Sequence, residues 1–167
     1  MKQQIVVSGI GGQGVLFLTR VIAQVAVDRG LPVLTAETHG MAQRGGTVLS
    51  TIKVGPFASP LIRAGQADVA LLLREDNLPV HKPLLKAEAA LFINAAGAGE
   101  GVRLDADGLA RELGNAVLSN LVLLGLAVRQ GRLFCSAAEC EAAIRTLAPP
   151  QFVAQNLAAF QRGLNAS

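Results

Sequence analysis

A run of glycines at the end of an apolar stretch is the feature that most narrows the folds open to this chain. Gln3 to Ser8 is short and apolar, and it runs straight into Gly9-Ile10-Gly11-Gly12-Gln13-Gly14. Behind the glycines, Val15, Leu18, Ile22 and Ala26 recur at helical spacing on one face. Gly30 ends that helix, and Leu31 to Glu37 supplies a second strand with Pro32 tolerated at its start. A strand, helix and strand joined by such short turns form a βαβ unit, which calls for a parallel sheet.

The rest of the chain extends the pattern. Thr38 to Gly46 is a polar, glycine-bearing loop, and Thr47 to Val54 alternates with β-branched residues as a third strand. Ala67 to Leu73 and Ala89 to Ile93 are apolar runs of the kind expected of central strands covered on both faces. Between them Pro83 to Ala87 is expected to be a short helix, and Ala95 to Gly101 a flexible turn. Asp105 to Leu113 reads as a weak helix, and Ala116 to Gln130 as a helix apolar nearly all round, hence buried. Ser136 and Glu139 have the spacing of a capping box for a helix to about Leu147, and Cys135 and Cys140 take the two positions of a hydrophobic staple. Pro149 and Pro150 break that helix, and a last amphipathic helix runs from Gln151 to about Arg162.

The expected fold is α/β: a single three-layer domain with a mainly parallel sheet, a Rossmann-like βαβ start and a helical C-terminal third. At 167 residues the chain suits one domain, and 51% hydrophobic against 16% charged residues gives it a real core and excludes disorder. With no Trp or Tyr, and a net charge of only +3, nucleic acid is not an expected partner. No apolar stretch approaches the roughly 20 residues of a membrane span, and the N-terminus lacks the apolar core of a signal peptide, so a cytoplasmic protein without membrane contact is expected.

Two segments carry candidate chemistry. Gly9-x-Gly11-x-x-Gly14 between strand and helix lets backbone N–H groups approach a phosphate, or else it only permits a tight turn and close packing of helix on sheet. Glu37, about 20 residues beyond the turn, stands where a dinucleotide enzyme places its ribose-binding acid. A free Rossmann-type NAD(P)- or nucleotide-binding module is therefore the alternative reading. The second segment, Glu37-Thr38-His39-Gly40-Met41-Ala42-Gln43-Arg44-Gly45-Gly46, gathers an acid, an imidazole, an amide and a guanidinium among glycines. Its polar groups want a partner, which can be an anion held by Arg44, a neighbouring subunit, or the chain's own backbone and Glu37. His39 and His81 have no second ligand at metal spacing, and no Ser-His-acid arrangement is legible, so neither a metal site nor a catalytic residue is expected.

Together the two segments resemble the gamma-type domain of the 2-oxoacid:ferredoxin oxidoreductases, most closely its indolepyruvate branch. The resemblance continues at Ser59-Pro60, Ala67-Asp68, Asn120 to Gly125, and Asn156 with Phe160 and Gly163, and so takes in residues 1–167 as one gamma-type domain. It implies a non-autonomous subunit of an enzyme that oxidatively decarboxylates a 2-oxoacid, indolepyruvate or another arylpyruvate, to an acyl-coenzyme A and passes electrons to ferredoxin. That chemistry uses thiamine diphosphate and iron–sulfur clusters. The chain has no Gly-Asp-Gly signature for the first, and two cysteines cannot supply the four thiolates of a cluster, so both are expected on a large partner subunit. No cofactor is expected on this chain alone; the resemblance implies one anion-binding face, on Gly9, Gly11, Gly12, Gln13, Gly14, His39, Gln43, Arg44, Gly45 and Gly46, that serves coenzyme A or the partner's active-site cleft. The isolated chain is expected to form homo-oligomers through the surface meant for its partner. At Leu73 to Asn77 the sequence departs from the family pattern, and no role is carried onto that stretch.

Overall fold

The computed structural model describes residues 1–39 and 46–166. Among the described residues six strands form one sheet in the order β2-β3-β1-β4-β5-β6. They are β1 (Gln3–Ile10), β2 (Val33–His39), β3 (Thr47–Val54), β4 (Ala67–Leu72), β5 (Leu85–Asn94) and β6 (Val102–Leu104). Five run the same way and only β3 is reversed, pairing antiparallel with both β1 and β2. Ile5, Val6 and Val7 are wholly buried, as are Ala70, Leu71 and Leu72, so β1 and β4 are central strands.

The opening βαβ unit is corrected in one respect. β1 and β2 are parallel in direction but are not neighbours, because β3 inserts between them and leaves β2 at the edge of the sheet. A hairpin needs only a short loop, whereas β1 and β2 are joined by a whole helix, so β3 reaches the β1 edge from β2 without a crossover. Its register, with Ile10 against Thr47 and His39 against Val48, brings all three strands to one end of the sheet at the glycine turn.

Helix α1 (Val15–Asp28) ends in a Schellman motif. Gly30 at φ +73° donates to the Val27 carbonyl, and Leu31 donates to that of Ala26, both at 2.9 Å. This helix crosses from β1 toward β2 on one face of the sheet. The connection from β4 to β5, a 3-10 turn at Glu75–Asn77 followed by α2 (Leu78–His81), moves the other way across the opposite face. Crossovers in opposite directions on opposite faces have the same hand, as right-handed connections require. The strand order therefore switches between β1 and β4.

Helices α3 (Ala106–Glu112), α4 (Ser119–Arg129), α5 (Ala137–Leu147) and α6 (Val153–Leu164) return to the α1 side. α1 and α4 lie on the sheet, and α5 and α6 pack over them, so this helical layer is two deep. The other face has a thinner cover, in which Ile62, Leu78 and Leu84 pack on Val6, Ala70, Leu72 and Ile93. The expected helix over Pro83 to Ala87 is not formed. The chain makes a 3-10 turn at Lys82–Leu84 and enters β5 directly, drawn into the sheet by the pairing of Leu85 with Ala67 and by Lys86, whose ammonium is 2.6 Å from Asp68. β6 has only three residues, too few for a periodic signal.

The capping box forms as the sequence predicts, with Ser136 accepting from the Glu139 N–H and Glu139 accepting from the Ser136 N–H. The Glu139 carboxylate also takes a two-pronged contact from Arg29 at the end of α1, which, with the Ser136 N–H, lowers its pKa to about 2. Cys135 and Cys140 are buried together as the two staple residues, and the Cys135 thiol and burial push the Cys140 thiol up. Both observations point to packing rather than redox chemistry.

Candidate functional site

In open α/β sheets, ligands bind beyond the carboxyl ends of the strands where the strand order switches. Here that place lies between the ends of β1 and β4, where an amide network closes the crevice. Gln13 accepts from the Ile10 N–H at 2.8 Å and donates to the Leu73 carbonyl at 3.2 Å. Asn77 donates to Ser8 Oγ at 3.0 Å and to the Gly9 carbonyl at 3.1 Å, while Asn94 donates to the same Leu73 carbonyl. Two of the sequence-predicted site residues thus have internal work. Gln13 ties the turn to β4, and Gly9 is held so tightly that an added Cβ would stand 2.7 Å from Gln13 Oε1 and 3.1 Å from Leu73 Cβ.

Gly14 adopts φ +75° as the residue before α1, and a Cβ there would lie 2.4 Å from Asn120 Nδ2, which donates to its carbonyl. Only glycine meets both conditions. Gly12, at φ +92°, has open space around it and is glycine for its backbone alone. The first intrahelical bond of α1 is from the Leu18 N–H to the Gly14 carbonyl, so the N–H groups from Gly14 to Phe17 have no intrahelical acceptor, and no side chain among the described residues caps them.

The glycine turn and the second segment meet. The Gly11 N–H donates to the Gly46 carbonyl at 3.1 Å, and a cavity of about 280 Å³ is lined by Gly11, Gly12, Gly14, Leu16, His39 and Val48. Gly11, Gly12, Gly14, His39 and Gly46 are therefore brought together at one end of the sheet. Gln43, Arg44 and Gly45 lie outside the described residues. Glu37 does not serve the glycine turn as a ribose-binding acid would. With β3 intervening, β2 lies two strand spacings from β1, about 9–10 Å away, and the Glu37 carboxylate is exposed, 3.8 Å from His39 Nε2. That placement counts against the nicotinamide alternative.

Behind the turn lies a polar core that no sequence motif marks. His81 Nε2 lies 2.7 Å from Ser8 Oγ, and both residues are buried. Ser8 Oγ, which also accepts from Asn77, shares one hydrogen bond with the His81 ring. Burial lowers the His81 pKa from its ordinary value. A folded-state value below the unfolded one means that the unfolded chain takes up a proton first as pH falls, so this stabilisation is present above about pH 6.5 and is lost below it. The urea midpoint is expected to drop between pH 7 and 5.5, and His81→Gln should flatten that slope. An equal slope in the variant would remove His81 as its source.

The fold is a doubly wound α/β domain with a glycine turn beside its switch point. Comparison with known proteins sets the family. Residues 4–166 match the model of the pyruvate ferredoxin/flavodoxin oxidoreductase family. The chain belongs to that family, as a subunit of a 2-oxoacid:ferredoxin oxidoreductase. It is 31% identical to indolepyruvate oxidoreductase subunit IorB of Archaeoglobus fulgidus over 191 aligned positions, covering 99% of this chain and 95% of that one. It is also similar to 2-oxoglutarate synthase subunit KorC of Methanothermobacter thermautotrophicus, at 28% identity over 98% of this chain and 94% of the relative. Among solved structures, the gamma subunit of a keto/oxoacid ferredoxin oxidoreductase from Geobacter sulfurreducens superposes with a TM-score of 0.77 at 26% identity, covering 96% of this chain and 95% of that one.

Proposed function

We propose that this chain is the small subunit of an indolepyruvate-type, or other arylpyruvate, 2-oxoacid:ferredoxin oxidoreductase. Its large partner carries the thiamine diphosphate and iron–sulfur clusters and delivers electrons to ferredoxin in the cytoplasm. Full-length similarity to subunits named for indolepyruvate supports the substrate class, and similarity to 2-oxoglutarate synthase subunits names the competitor to test it against. Among the described residues no helix is long and apolar enough to cross a membrane.

In this reading the chain's own contribution is a face that receives coenzyme A. The observation that carries it is the meeting of the glycine turn with both described ends of the second segment, at Gly46 and His39. The α1 N–H groups that no side chain among the described residues caps, with the helix dipole, favour an anion there, and Arg44, five residues beyond His39 in the sequence, offers a guanidinium that grips phosphate through two parallel hydrogen bonds. The chemistry of decarboxylation belongs to the partner. This chain binds and orients the acceptor through Gly11, Gly12, Gly14, His39 and Gln43 to Gly46. In the assembled complex Arg44→Ala should raise the KM for coenzyme A about tenfold, the loss of one charge-assisted contact. An unchanged KM with normal assembly would leave Arg44 only a bracing role, and failed assembly would make the face a subunit interface.

A further inference from the structure

The outer edge of β5 is covered over only part of its length. β5 has ten residues and β6 only three, and their pairing runs from Phe92 with Val102 to Asn94 with Leu104. Ahead of Val102 the chain is irregular from Ala95 to Gly101, so among the described residues no strand lies beside Leu85 to Leu91 on that side. The Ala95 N–H donates to the Leu104 carbonyl at 3.0 Å. Alternation along the strand therefore turns the N–H groups of Ala89 and Leu91, and the Ala89 carbonyl, toward the same open edge. Such an edge is a template for another strand, and chains blunt it with lysines and bulges. Here the first half is blunted. The offset between β4 and β5 partners rises from 18 at Ala67 and Leu85 to 21 at Val69 and Ala90, so three extra residues bulge out beside Lys86. The second half is left as a groove. A cavity of about 490 Å³ follows β5 as far as Phe92, walled by Lys82 and Glu100 toward the thinly covered face and by Gln130 and Arg132, after α4, toward the helical face.

We propose that this groove receives one extended, acidic segment of the large partner subunit, which continues the line of β6 and adds a strand along β5. The proposal rests on the subunit reading above. Main-chain groups at Ala89 and Leu91 would supply the pairing, as in other cases of strand addition. Charge sets the chemistry of the occupant. The lining residues carry Lys82, Lys86 and Arg132 against Glu100, and the exposed Glu88 carboxylate is not among the walls. Lys82 is paired with Glu100 and Lys86 with Asp68, whereas Arg132 donates to the Glu88 carbonyl at 3.3 Å and has no carboxylate within 4 Å among the described residues. Arg132 is thus the cation that can hold an incoming acid. A second copy of this chain fits less well, because its own β5 edge is recessed behind the same walls and would bring the same excess of positive charge.

Amide hydrogen exchange over Leu85 to Leu91, measured in the isolated chain and in the complex with the large subunit, tests the proposal together with two variants. Ala89→Pro removes one N–H from the edge, a change that an unpaired edge tolerates, and Arg132→Glu reverses the recognising charge. The expected result is exchange slowed at least tenfold on assembly, and a Kd for the large subunit raised about tenfold in each variant, with the unfolding midpoint of the isolated chain unchanged. Should Ala89→Pro not fold, exchange and Arg132→Glu decide. A complex in which Leu85 to Leu91 exchange as fast as in the free chain, or which Arg132→Glu joins with unaltered Kd, would overturn the proposal and leave the subunit reading standing. Protection in the isolated chain that grows with its concentration would give the edge to a second copy and overturn it likewise. Failure of the unaltered chain to bind the large subunit at all would refute the subunit reading itself, and the strand with it.

Discussion

Replacing Gly163 with alanine is expected to lower the stability of the fold by about 3 kcal/mol. Helix propensity argues the other way, since alanine is favoured over glycine inside a helix by about 1 kcal/mol. Packing decides the sign. A Cβ on Gly163 would stand 1.9 Å from the Val122 carbonyl oxygen and 3.0 Å from Gly125 Cα, and one on Gly125 would stand 2.3 Å from the Phe160 carbonyl oxygen. These are backbone atoms of α4 and α6, so no rotamer change relieves the overlap and the two helices must separate. Leu121 to Ala127 are buried, which makes that separation open the core. Gly30→Ala is the control, because a Cβ there meets nothing within 4 Å and carries only the left-handed penalty of about 1–2 kcal/mol. Urea unfolding of both variants checks the expectation. Equal losses would mean that α4 and α6 can move apart without consequence.

The close approach of α4 and α6 also shows what a single sequence conveys and what it hides. The residues involved, Asn120 to Gly125 and Asn156 with Phe160 and Gly163, were visible as parts of a resemblance, but no periodicity says that Gly125 and Gly163 face each other. Contacts of that kind are set by tertiary geometry. Local signals were legible where local physics fixes the outcome: the Ser136 capping box, the Gly30 helix end, and the doubly buried strands around Val6 and Ala70. Strand order was not, because βαβ logic takes successive parallel strands as neighbours, whereas β3 could fold back by a hairpin and lie between them. The carboxyl ends of β1 and β2 still lie at the same end of the sheet, since both strands point that way. The glycine turn was legible as a turn, but the roles within it were divided by packing that the pattern does not encode. Gly9 and Gly14 answer to close neighbours, and Gln13 to β4. The Ser8–Asn77–His81 network left no sequence signal, because buried polar residues on a strand and a one-turn helix have no spacing of their own.

The second large effect is all-or-none. Isolated, this chain is expected to show no oxidation of 2-oxoacids above background, and full activity is expected once a large subunit bearing thiamine diphosphate and iron–sulfur clusters is added. The physical ground is the placement of its own groups. Both cysteines are buried as the staple of α5, and the buried histidine, His81, is hydrogen-bonded to Ser8 with its pKa lowered by burial. What the chain presents outward near the glycine turn is α1 N–H groups that no side chain among the described residues caps, the His39 end of β2, and exposed Leu16, Val117 and Phe152, a surface that includes the face proposed above for binding. Reduction of ferredoxin by indolepyruvate and coenzyme A, followed with this chain alone, the large subunit alone and the two mixed, reads the effect. Substituting 2-oxoglutarate for indolepyruvate in the mixture should abolish most of the rate.

Purification of this chain from its native source under gentle conditions, with the cofactor content of the purified material determined, tests the non-autonomous subunit most directly. The expected product is a stable complex with one larger polypeptide in fixed ratio, containing thiamine diphosphate and showing iron–sulfur absorption, with decarboxylation of indolepyruvate that depends on coenzyme A. Recovery of the chain alone, binding NAD or NADP and turning over a substrate without thiamine diphosphate, would contradict it.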